Sequence, residues 1–542
     1  MTILRFCRQA IQLCFVFTLF LALAWQPAPA AGALSLPDSE TVAVAGVGFH
    51  LSGRYIHDAN GTNFILRGVN HPHTWFLDKT SAFVHIKAKR ANAVRVVLST
   101  GDRPEPDWIR NSATEVENVI GICKANRLVC VLEVHDTTGY GEQAGAASLA
   151  QAVAYWKEIQ SALTGEEAYV IINLGNEPRG HNSVASWVNE TKNAIVEMRN
   201  AGFKHMLMVD APNWGQDDAF VMRDNAAQVL ASDPQGNTVF SIHMFGVFNT
   251  ADRIEDYIVA FVDAGLPLVI GEFASTHPNG NPDEESIFSL AEKHGIGYLG
   301  WSWSGNCCGA AGQALDMVID FDPNQMTDWG RRIFEGSNGI IQTSCEASVY
   351  GHHCFEDVAV NYWAWNFVER LYRAKITGGC GTNPRQYCPE GTVTRAQMAI
   401  FLLRGKYGPT YTPPPVGGDT GFLDVPVTHW AAAWIKQLAA EGITGGCGGG
   451  KYCPEGAVTR SQMAIFLLKA KHEASYRPPA VGSSTGFSDV LTTHWAAAWI
   501  KQLAAEGITG GCGTGTYCPD SAVTRAQMAV FLVRTFNLPA LP

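Results

Sequence analysis

Between residues 48 and 337 the chain alternates between two hydrophobic patterns. One consists of short, almost continuously apolar runs, which are typical of strands buried on both faces of a parallel sheet. We predict such strands at 63–71, 93–99, 128–136, 169–177, 205–212, 238–245, 267–273 and 295–303. The other consists of longer segments with apolar residues at helical spacing, such as SLAQAVAYWKEIQSAL, which predict helices.

Eight strands that alternate with about eight helices in about 290 residues predict an α/β fold, specifically a (β/α)8 TIM barrel. The alternative is a doubly wound open sheet. That fold usually has fewer strands, and no G-x-G-x-x-G motif follows the first predicted strand. The barrel therefore fits the pattern better.

After residue 345 the pattern changes to a repeat of about 65 residues. The copies begin FEDVAVNYWAWNFVERLYRAKITGGCG, FLDVPVTHWAAAWIKQLAAEGITGGCG and FSDVLTTHWAAAWIKQLAAEGITGGCG, and each continues to a VTRAQMA or VTRSQMA segment. In that segment a threonine precedes a glutamine by three residues, which predicts a helix with a capping box. Trp430, Trp434 and Leu438 are spaced to share one buried helix face. We expect a small, mostly helical, three-repeat region.

Residues 1–30 form a separate segment. Arg5 and Arg8 precede an apolar stretch at 11–25, and the small residues PAPAAGA follow. This is the pattern of a secretory signal peptide, with cleavage after Ala30 or Ala33. An uncleaved anchor helix is the alternative. We expect no membrane span after signal removal, because the other apolar runs are shorter than the roughly 18 residues that a span requires.

Charge and cysteine spacing narrow the class of protein further. The net charge of −11 argues against a nucleic-acid partner, which needs clustered lysine and arginine. Two of the fourteen cysteines lie in the signal segment, and the other twelve are adjacent pairs along the chain: Cys123 and Cys130, Cys307 and Cys308, Cys345 and Cys354, Cys380 and Cys388, Cys447 and Cys453, Cys512 and Cys518. In an exported protein such pairs suggest disulfides, although their connectivity stays open. The last three pairs lack the spacing or neighbouring histidines of a zinc site, so we predict no metal and no cofactor.

Two predicted strands carry a carboxylate at the C-terminal end. VIINLGNEPRG contains Glu177, and LPLVIGEF contains Glu272. In a (β/α)8 barrel the C-terminal ends of the strands meet around one cleft. A pair of acids that face one cleft is the arrangement that cleaves a glycosidic bond, one as acid/base and the other as nucleophile. We therefore predict that Glu177 and Glu272 are catalytic.

Polar residues near other strand ends are predicted to line the same cleft: His71, Arg95, His135, Asn176 and His243. Arg95 can hold the nucleophile anionic through charge-assisted hydrogen bonds. Asn176 can bind the 2-hydroxyl of a sugar. His135 and His243 could instead be histidines of the core.

Four tryptophans lie just past strand ends: Trp75, Trp214, Trp301 and Trp303. There a ring can stack on the apolar face of a pyranose. Trp301 and Trp303 share parity on the predicted strand, so we expect both to point inward. For Trp75 and Trp214 a packing role is the alternative.

The segments RGVNH, VRVVLS, VLEVHD, NEP, SIHMF, VIGEF and LGWSWSGN, in this order, resemble glycoside hydrolase family 5. GVNHPHTWF, VLEVHDTTG and MVDAPNWGQ are most similar to its bacterial β-mannanase subfamily. The resemblance spans roughly residues 45–340. It implies retaining hydrolysis, with Glu177 as acid/base, Glu272 as nucleophile and carboxyl groups about 5–5.5 Å apart. It also implies supporting roles for Arg95, His135, Asn176, His243 and Trp301.

The sequence departs from that family at two positions. His243 is followed by Met244 and Phe245, where the family usually has His-x-Tyr with the phenol touching the nucleophile. Without that hydroxyl we expect Glu272 to be less well oriented. NEP is followed by Arg179, where a tryptophan is often found in these mannanases.

The repeats resemble three S-layer homology modules through their F-x-D-V, HWA, GIT and TRAQ segments. The resemblance implies non-covalent attachment to cell-wall polysaccharide. The family's usual last motif residue is glutamate, but all three copies have glutamine, which also serves a capping box. Arg395, Arg460 and Arg525 begin the capped helix and could bind an acidic wall glycan. Solvated first-turn arginines are the alternative.

Together these features predict the domains and the function. We expect a signal peptide at 1–30, a catalytic domain at 34–340, a linker at 341–354 and repeats at 355–412, 422–477 and 487–540. The function implied is that of a secreted, cell-surface, retaining endo-β-1,4-mannanase acting on β-mannan or glucomannan. An endo-β-1,4-glucanase on the same scaffold and a wall-bound carbohydrate-binding protein with little turnover are the alternatives.

Overall fold

The structure, a computed structural model, describes residues 48–541 apart from 106, 183, 279, 308, 352 and 383–384. The predicted signal peptide therefore lies outside the described residues. Within the described part, no helix combines the length and the apolar character needed to cross a membrane.

The predicted barrel is confirmed. A hairpin of β1 (His50–Ser52) and β2 (Tyr55–His57) precedes it. The barrel strands are β3 (Arg67–His71), β4 (Ala93–Leu98), β5 (Val129–Val134), β6 (Val170–Asn173), β7 (Leu207–Asp210), β8 (Thr238–Met244), β9 (Leu268–Phe273) and β10 (Gly297–Gly300). They are parallel and pair in chain order, and β10 pairs with β3 to close the ring. Because β6 ends at Asn173, Glu177 lies in the following loop rather than in the strand that we predicted.

Helices surround the barrel: α1 (Ala82–Ala88), α2 (Ala113–Ala125), α3 (Leu149–Glu158), α4 (Gln160–Leu163), α5 (Trp187–Asn200), α6 (Val221–Leu230), α7 (Ala251–Asp263), α8 (Glu284–His294), α9 (Ala310–Gln313), α10 (Asp328–Glu335) and α11 (Ile340–Thr343). Short 3-10 turns lie at His73–Trp75, His135–Thr137, Val184–Ser186, Ile319–Phe321 and Ser348–Tyr350. One apolar core lies between sheet and helices, and a second fills the barrel around Val131, Met208 and Leu299. The two cores hold the strand ends at one rim, where the loops carry the polar residues.

The repeats form a helical unit with an apolar core of its own. Its elements are α12 (Trp365–Arg373), β11 (Gly381–Thr382), β12 (Arg385–Gln386), α13 (Arg395–Tyr407), α14 (Ala432–Ala440), α15 (Arg460–His472), α16 (Ala497–Ala505) and α17 (Arg525–Thr535). The predicted capping boxes are present at Thr394, Thr459 and Thr524. The helices that follow these threonines therefore begin where the sequence indicates.

The predicted helix face with Trp430 is wrong. The helix α14 begins at Ala432, and Trp430 precedes it with 59% of its surface exposed. The equivalent tryptophans are also exposed, Trp363 by 45% and Trp495 by 61%. Each ring lies beside the ring of the preceding residue, and for Trp430 and Trp495 that residue is a histidine 5.5 Å away between centroids. Packing inside the repeats therefore does not account for these three side chains.

Four of the suggested disulfides are present: Cys345–Cys354, Cys380–Cys388, Cys447–Cys453 and Cys512–Cys518. Cys123 and Cys130 are instead buried thiols whose sulfur atoms are 2.6 Å apart. They lie on α2 and β5, where burial raises the pKa of Cys123. Cys308 lies outside the described residues, so the expectation for Cys307 and Cys308 stays a prediction.

The three arginines that we predicted to face a wall glycan are buried between repeats. Arg395 Nε donates to the carbonyl of Tyr452 at 2.7 Å, in the second repeat. Arg460 Nε donates to Tyr517 at 2.6 Å in the third, and Arg525 Nε returns to Tyr387 at 2.6 Å in the first. These contacts close the repeats into a ring. Because these arginines are buried, both expectations for them are wrong: they neither face a glycan nor extend into solvent.

The ring of repeats packs against the barrel at the end where the strands begin. Arg373 of α12 donates to the side chain of Asn63 at 3.0 Å and to its carbonyl at 2.8 Å, just before β3. Lys375 pairs with Glu292 of α8 at 3.0 Å. The repeats therefore leave the opposite rim, with the C-terminal strand ends, uncovered.

Candidate active site

The two predicted catalytic acids come together at the open rim. Glu272 lies on β9, and Glu177 lies in the loop after β6 with a left-handed φ of 41°. A carboxylate oxygen of each, together with a ring nitrogen of His243, lie within 4.8 Å of one another. The side chain of Glu177 is 12% exposed and that of Glu272 is 6% exposed. A single small ligand with several hydroxyl groups could therefore contact both acids at once.

Arg95 lies behind Glu272 and is fully buried. Its Nη1 donates to Glu272 Oε1 at 2.7 Å. Its other N–H groups donate to the side-chain oxygens of Asn70, Asn173, Asn176 and Asp210 at 2.8–3.0 Å. Burial opposes the charge of Arg95, but Glu133, Asp210 and Glu272 outweigh it and raise the pKa of the guanidinium. Arg95 thus acts on a substrate only through the acid that it holds.

His243, on β8, connects the two acids from below. Its Nδ1 is 2.9 Å from Glu177 Oε1 and 3.7 Å from Glu272 Oε2, and its Nε2 is 3.3 Å from Asp210 Oδ2. Burial would lower the pKa of His243, but Glu272 and Asp210 outweigh it and raise the pKa to about 10. A protonated imidazole has no lone pair to offer a metal. The group formed by Glu177, His243 and Glu272 is therefore better suited to proton transfer than to holding a cation.

Burial also affects the nucleophile candidate. It raises the pKa of Glu272, while the charges of His243 and Arg95 oppose that rise and Glu177 adds to it. Two acids so close together interact strongly, so one of them carries the proton more readily than the other. The two cations beside Glu272 thus oppose the protonation that burial and Glu177 favour, and a nucleophile must be deprotonated to attack.

His135 lines the cleft between aromatic rings. Its Nδ1 is 2.7 Å from Glu133 Oε1, and the charge of Glu133 outweighs burial and raises the pKa of the imidazole. Its ring is stacked on Trp301 with centroids 5.4 Å apart and on Trp108 at 6.0 Å. Trp75 meets the same ring edge-on at 5.4 Å. These partly exposed rings form an aromatic wall beside the acids.

Trp214 packs near the loop of Glu177, and its backbone N–H donates to the carbonyl of Arg179 at 3.0 Å. Its ring covers Gly139, where an added Cβ would come within 2.5 Å of the indole. Gly139 in turn donates its N–H to the carbonyl of Glu177 at 2.9 Å. The close packing of Trp214 on Gly139 thus fixes the loop that carries the acid, and the indole stays partly exposed.

Two predicted substrate contacts are wrong. His71 is fully buried, with Nε2 3.3 Å from the carbonyl of Lys79. Trp303 is fully buried against Phe334, because β10 ends at Gly300 and strand parity no longer applies after it. Neither side chain can reach a polysaccharide. Asn176 is also buried, with Nδ2 donating to Thr138 Oγ1 at 2.8 Å, and its contact with a sugar hydroxyl stays a prediction.

Sequence reasoning missed three residues of the site. Asp210 ends β7 and Glu133 lies inside β5, both fully enclosed beneath the acids. An acid in an otherwise apolar strand was the available signal for each. Trp108 lies in an irregular loop and carried no pattern that could have singled it out.

The comparisons with known proteins match the geometry of this site. Residues 57–307 match the family described as Cellulase (glycosyl hydrolase family 5). A mannan endo-1,4-beta-mannosidase of Streptomyces lividans is 54% identical over 320 residues, which cover 59% of this chain and 82% of the relative. The chain belongs to glycoside hydrolase family 5. A second enzyme of that name, from Cellvibrio japonicus, is 49% identical over 57% of this chain and 70% of its own length.

The solved structures of this family and the repeats complete the comparison. The mannotriose complex of Thermomonospora fusca beta-mannanase has a TM-score of 0.54 and 56% identity, covering 56% of this chain and 99% of that protein. The family 5 barrel thus accounts for the first part of the chain. Residues 355–399, 421–464 and 486–529 match the S-layer homology domain. The chain therefore combines a glycoside hydrolase with three domains of a kind found in cell-surface proteins.

Proposed function

We propose that this chain is a retaining endo-β-1,4-mannanase. The observation that carries the proposal is the approach of Glu177 and Glu272 to within 4.8 Å at the open rim. Retaining glycosidases place their two carboxyl groups about 5–5.5 Å apart, whereas inverting enzymes leave room for a water between groups about 6.5–9.5 Å apart. The short separation supports double displacement.

In the first step the carboxylate of Glu272 attacks the anomeric carbon, while the protonated Glu177 gives its proton to the departing oxygen. In the second step Glu177, now a carboxylate, takes a proton from water, and the hydroxide attacks the anomeric carbon and releases Glu272. Arg95 donates to Glu272 at 2.7 Å and so opposes the protonation of this carboxyl that burial favours. His243 donates to Glu177 at 2.9 Å and so holds the side chain in place for both steps.

The proposed substrate is β-mannan or glucomannan. The aromatic wall of Trp75, Trp108 and Trp301 offers faces on which pyranose rings can stack. The choice of mannan is supported by the names of the relatives, which are about half identical to this chain over most of their own length. An endo-β-1,4-glucanase remains the alternative for the same acids.

A substrate panel with product analysis tests this function. Purified enzyme should release reducing ends from locust-bean gum and glucomannan faster than from carboxymethylcellulose, and proton NMR should show the β-anomer first. A faster rate on carboxymethylcellulose would favour the glucanase. Binding to mannan without any hydrolysis would support the wall-bound binding protein, and an α-anomer as first product would contradict the retaining mechanism.

We further propose that the S-layer homology domains hold the enzyme, exported by its signal peptide at 1–30, on cell-wall polysaccharide. The catalytic domain would be 34–340, followed by the linker at 341–354 and repeats at 355–412, 422–477 and 487–540. Because the arginines of the TRAQ segments are buried, the exposed Trp363, Trp430 and Trp495 are the better candidates for glycan contact. An exposed indole offers a flat face to a sugar ring.

A pull-down with purified cell walls tests the attachment. The full chain should pellet with the walls, and a variant with Trp430→Ala and Trp495→Ala should stay largely in the supernatant. Leu423→Ala is the control, because Leu423 is an exposed apolar residue whose equivalents in the other repeats are Glu356 and Ser488. Equal pelleting of the double variant and the wild type would rule out the tryptophans.

A further inference from the structure

Asp210 occupies a central position beneath the site. It is the last residue of β7, and its side chain has no contact with solvent. One oxygen, Oδ2, is 3.0 Å from Arg95 Nη2 and 3.3 Å from His243 Nε2. A single carboxylate oxygen therefore lies between the two cations of the site.

Each of these cations reaches a different catalytic acid. Arg95 Nη1 donates to Glu272 at 2.7 Å, and His243 Nδ1 contacts Glu177 at 2.9 Å. Asp210 is thus one residue removed from both acids. It has no direct contact with Glu272, and it meets Glu177 only through the backbone N–H, which points at Oδ2 from 3.4 Å.

The remaining contacts hold Asp210 itself in place. Asn173 Nδ2 donates to Asp210 Oδ1 at 3.1 Å, so both oxygens have partners. Burial opposes the charge of Asp210, but His243 and Arg95 outweigh it and lower the pKa of this carboxyl. The charged and titratable groups around the network are Arg95, Glu133, His135, Glu177, His243, Glu272 and His277.

We propose that Asp210, given the catalytic roles proposed above, is the positioning residue that joins the nucleophile to the acid/base. It orients the guanidinium toward Glu272 and the imidazolium toward Glu177 from one fixed point. Without its charge the imidazolium loses one of the three carboxylates that stabilise it. The neutral imidazole can then leave Nδ1 unprotonated, and the hydrogen bond to Glu177 is lost.

The test variant is Asp210→Asn, which keeps the shape of the side chain and removes its charge. We expect kcat on mannan to fall by about 10²-fold with KM little changed, since a misplaced catalytic group costs about that much. The alkaline limb of the pH profile should move to lower pH, because His243 loses its proton more readily. Asp210→Glu, which keeps the charge, should leave that limb in place while lowering kcat.

Asp233→Asn is the matched control. Asp233 is a buried carboxylate that pairs with Arg199 at 2.9 Å through both oxygens, on the outside of the barrel. We expect this variant to lose thermal stability and to keep the kcat and pH profile of the wild type. If Asp210→Asn folds and behaves like Asp233→Asn, the positioning role is wrong.

A second readout does not depend on turnover. In ¹⁵N-histidine-labelled enzyme, with the signal assigned through His243→Asn, the wild-type imidazole should titrate with a midpoint near pH 10, the value to which its pKa is raised. In Asp210→Asn it should titrate at lower pH, and in Asp210→Glu near the wild-type value. An unchanged titration in a folded Asp210→Asn would overturn the inference. If the wild type hydrolyses no glycan, the proposed function fails, yet this titration still decides whether Asp210 holds His243.

Discussion

The guanidinium of Arg95 and the carboxylate of Glu272 are joined at 2.7 Å in a site where Arg95 has no exposed surface. The same guanidinium also faces Asp210 at 3.0 Å and Glu133 at 3.6 Å. One cation thus compensates three buried carboxylates. Its removal leaves only the histidines His243 and His135 to compensate these three charges, and an incompletely paired buried charge is costly.

Arg95→Met should therefore lower both stability and activity. We expect the free energy of unfolding to fall by about 3–5 kcal/mol, measured by urea denaturation, and kcat to fall by about 10²–10³-fold. The control is Lys124→Ala on the outside of the barrel, where Lys124 pairs with Glu166 at 2.7 Å while both side chains contact solvent. That change should cost less than about 1 kcal/mol. A stable and active Arg95→Met would contradict the role of Arg95 as shared counter-charge.

Substitution of the two acids should separate their roles. Glu177→Ala should hydrolyse mannan about 10²–10⁴-fold more slowly, because the departing oxygen receives no proton. It should still be glycosylated by an aryl β-mannobioside with a good leaving group, and added azide should then give the β-glycosyl azide. Glu272→Ala should give the α-glycosyl azide instead, since azide enters from the face that the nucleophile has vacated. The same anomer from both variants would show that the assigned roles are wrong.

The barrel and its acids could be predicted because their signals are local. Most barrel strands are largely apolar runs, and Glu272 near the end of β9 and Glu177 just after β6 depart from that pattern. Trp303 was misplaced for the opposite reason: β10 is shorter than its apolar run, so strand parity was carried past Gly300. The local hydrophobic pattern predicts the type of element, strand or helix, but not the residue at which the element ends.

The arginines of the repeats could not be placed from one repeat alone. The partner of Arg460 lies 57 residues further on, and that of Arg525 lies 138 residues back. Only closure of the ring brings them together. Asp210 was missed for a related reason, because its partners are distant in the chain. Arg95 lies 115 residues before it, and His243 lies on β8, the next strand of the barrel.

Phe245 is one of the two positions at which the sequence departs from the family that it resembles. The ring is largely buried and is stacked on His277 with centroids 4.6 Å apart. Phe245→Tyr would restore the hydroxyl that the family places beside the nucleophile. A net hydrogen bond worth about 0.5–1.5 kcal/mol would raise kcat on mannan by about 2–10-fold.

Steady-state kinetics would check the gain in Phe245→Tyr. Phe248→Tyr is the control, because Phe248 is fully buried against Tyr257 on the same loop and has no contact with the acids. It should lower stability without raising kcat. If Phe245→Tyr leaves kcat unchanged or lowers it, Glu272 is already fully oriented by Arg95, and the departure has no cost for the reaction.

The closed ring predicts that its three arginines contribute equally to the stability of the repeats. Each guanidinium donates to a tyrosine carbonyl of another repeat and lies 4.7–4.8 Å from that tyrosine ring. In return each tyrosine hydroxyl donates to the arginine carbonyl at 2.7–2.8 Å. A hydrogen bond from a charged group contributes about 1.5–3 kcal/mol.

Arg395→Met, Arg460→Met and Arg525→Met should each lower the melting temperature of the repeats by several degrees, about 2–4 °C per kcal/mol for a unit of this size. Differential scanning calorimetry of the full chain would measure this, with Arg477→Met in the exposed link between repeats as the control. Arg525 is decisive, because its contact is the one that joins the last repeat to the first. In a linear array of repeats that contact would not exist, and Arg525→Met would melt like the control. A drop equal to those of the other two arginines would instead be the signature of a closed ring, in which no repeat is terminal.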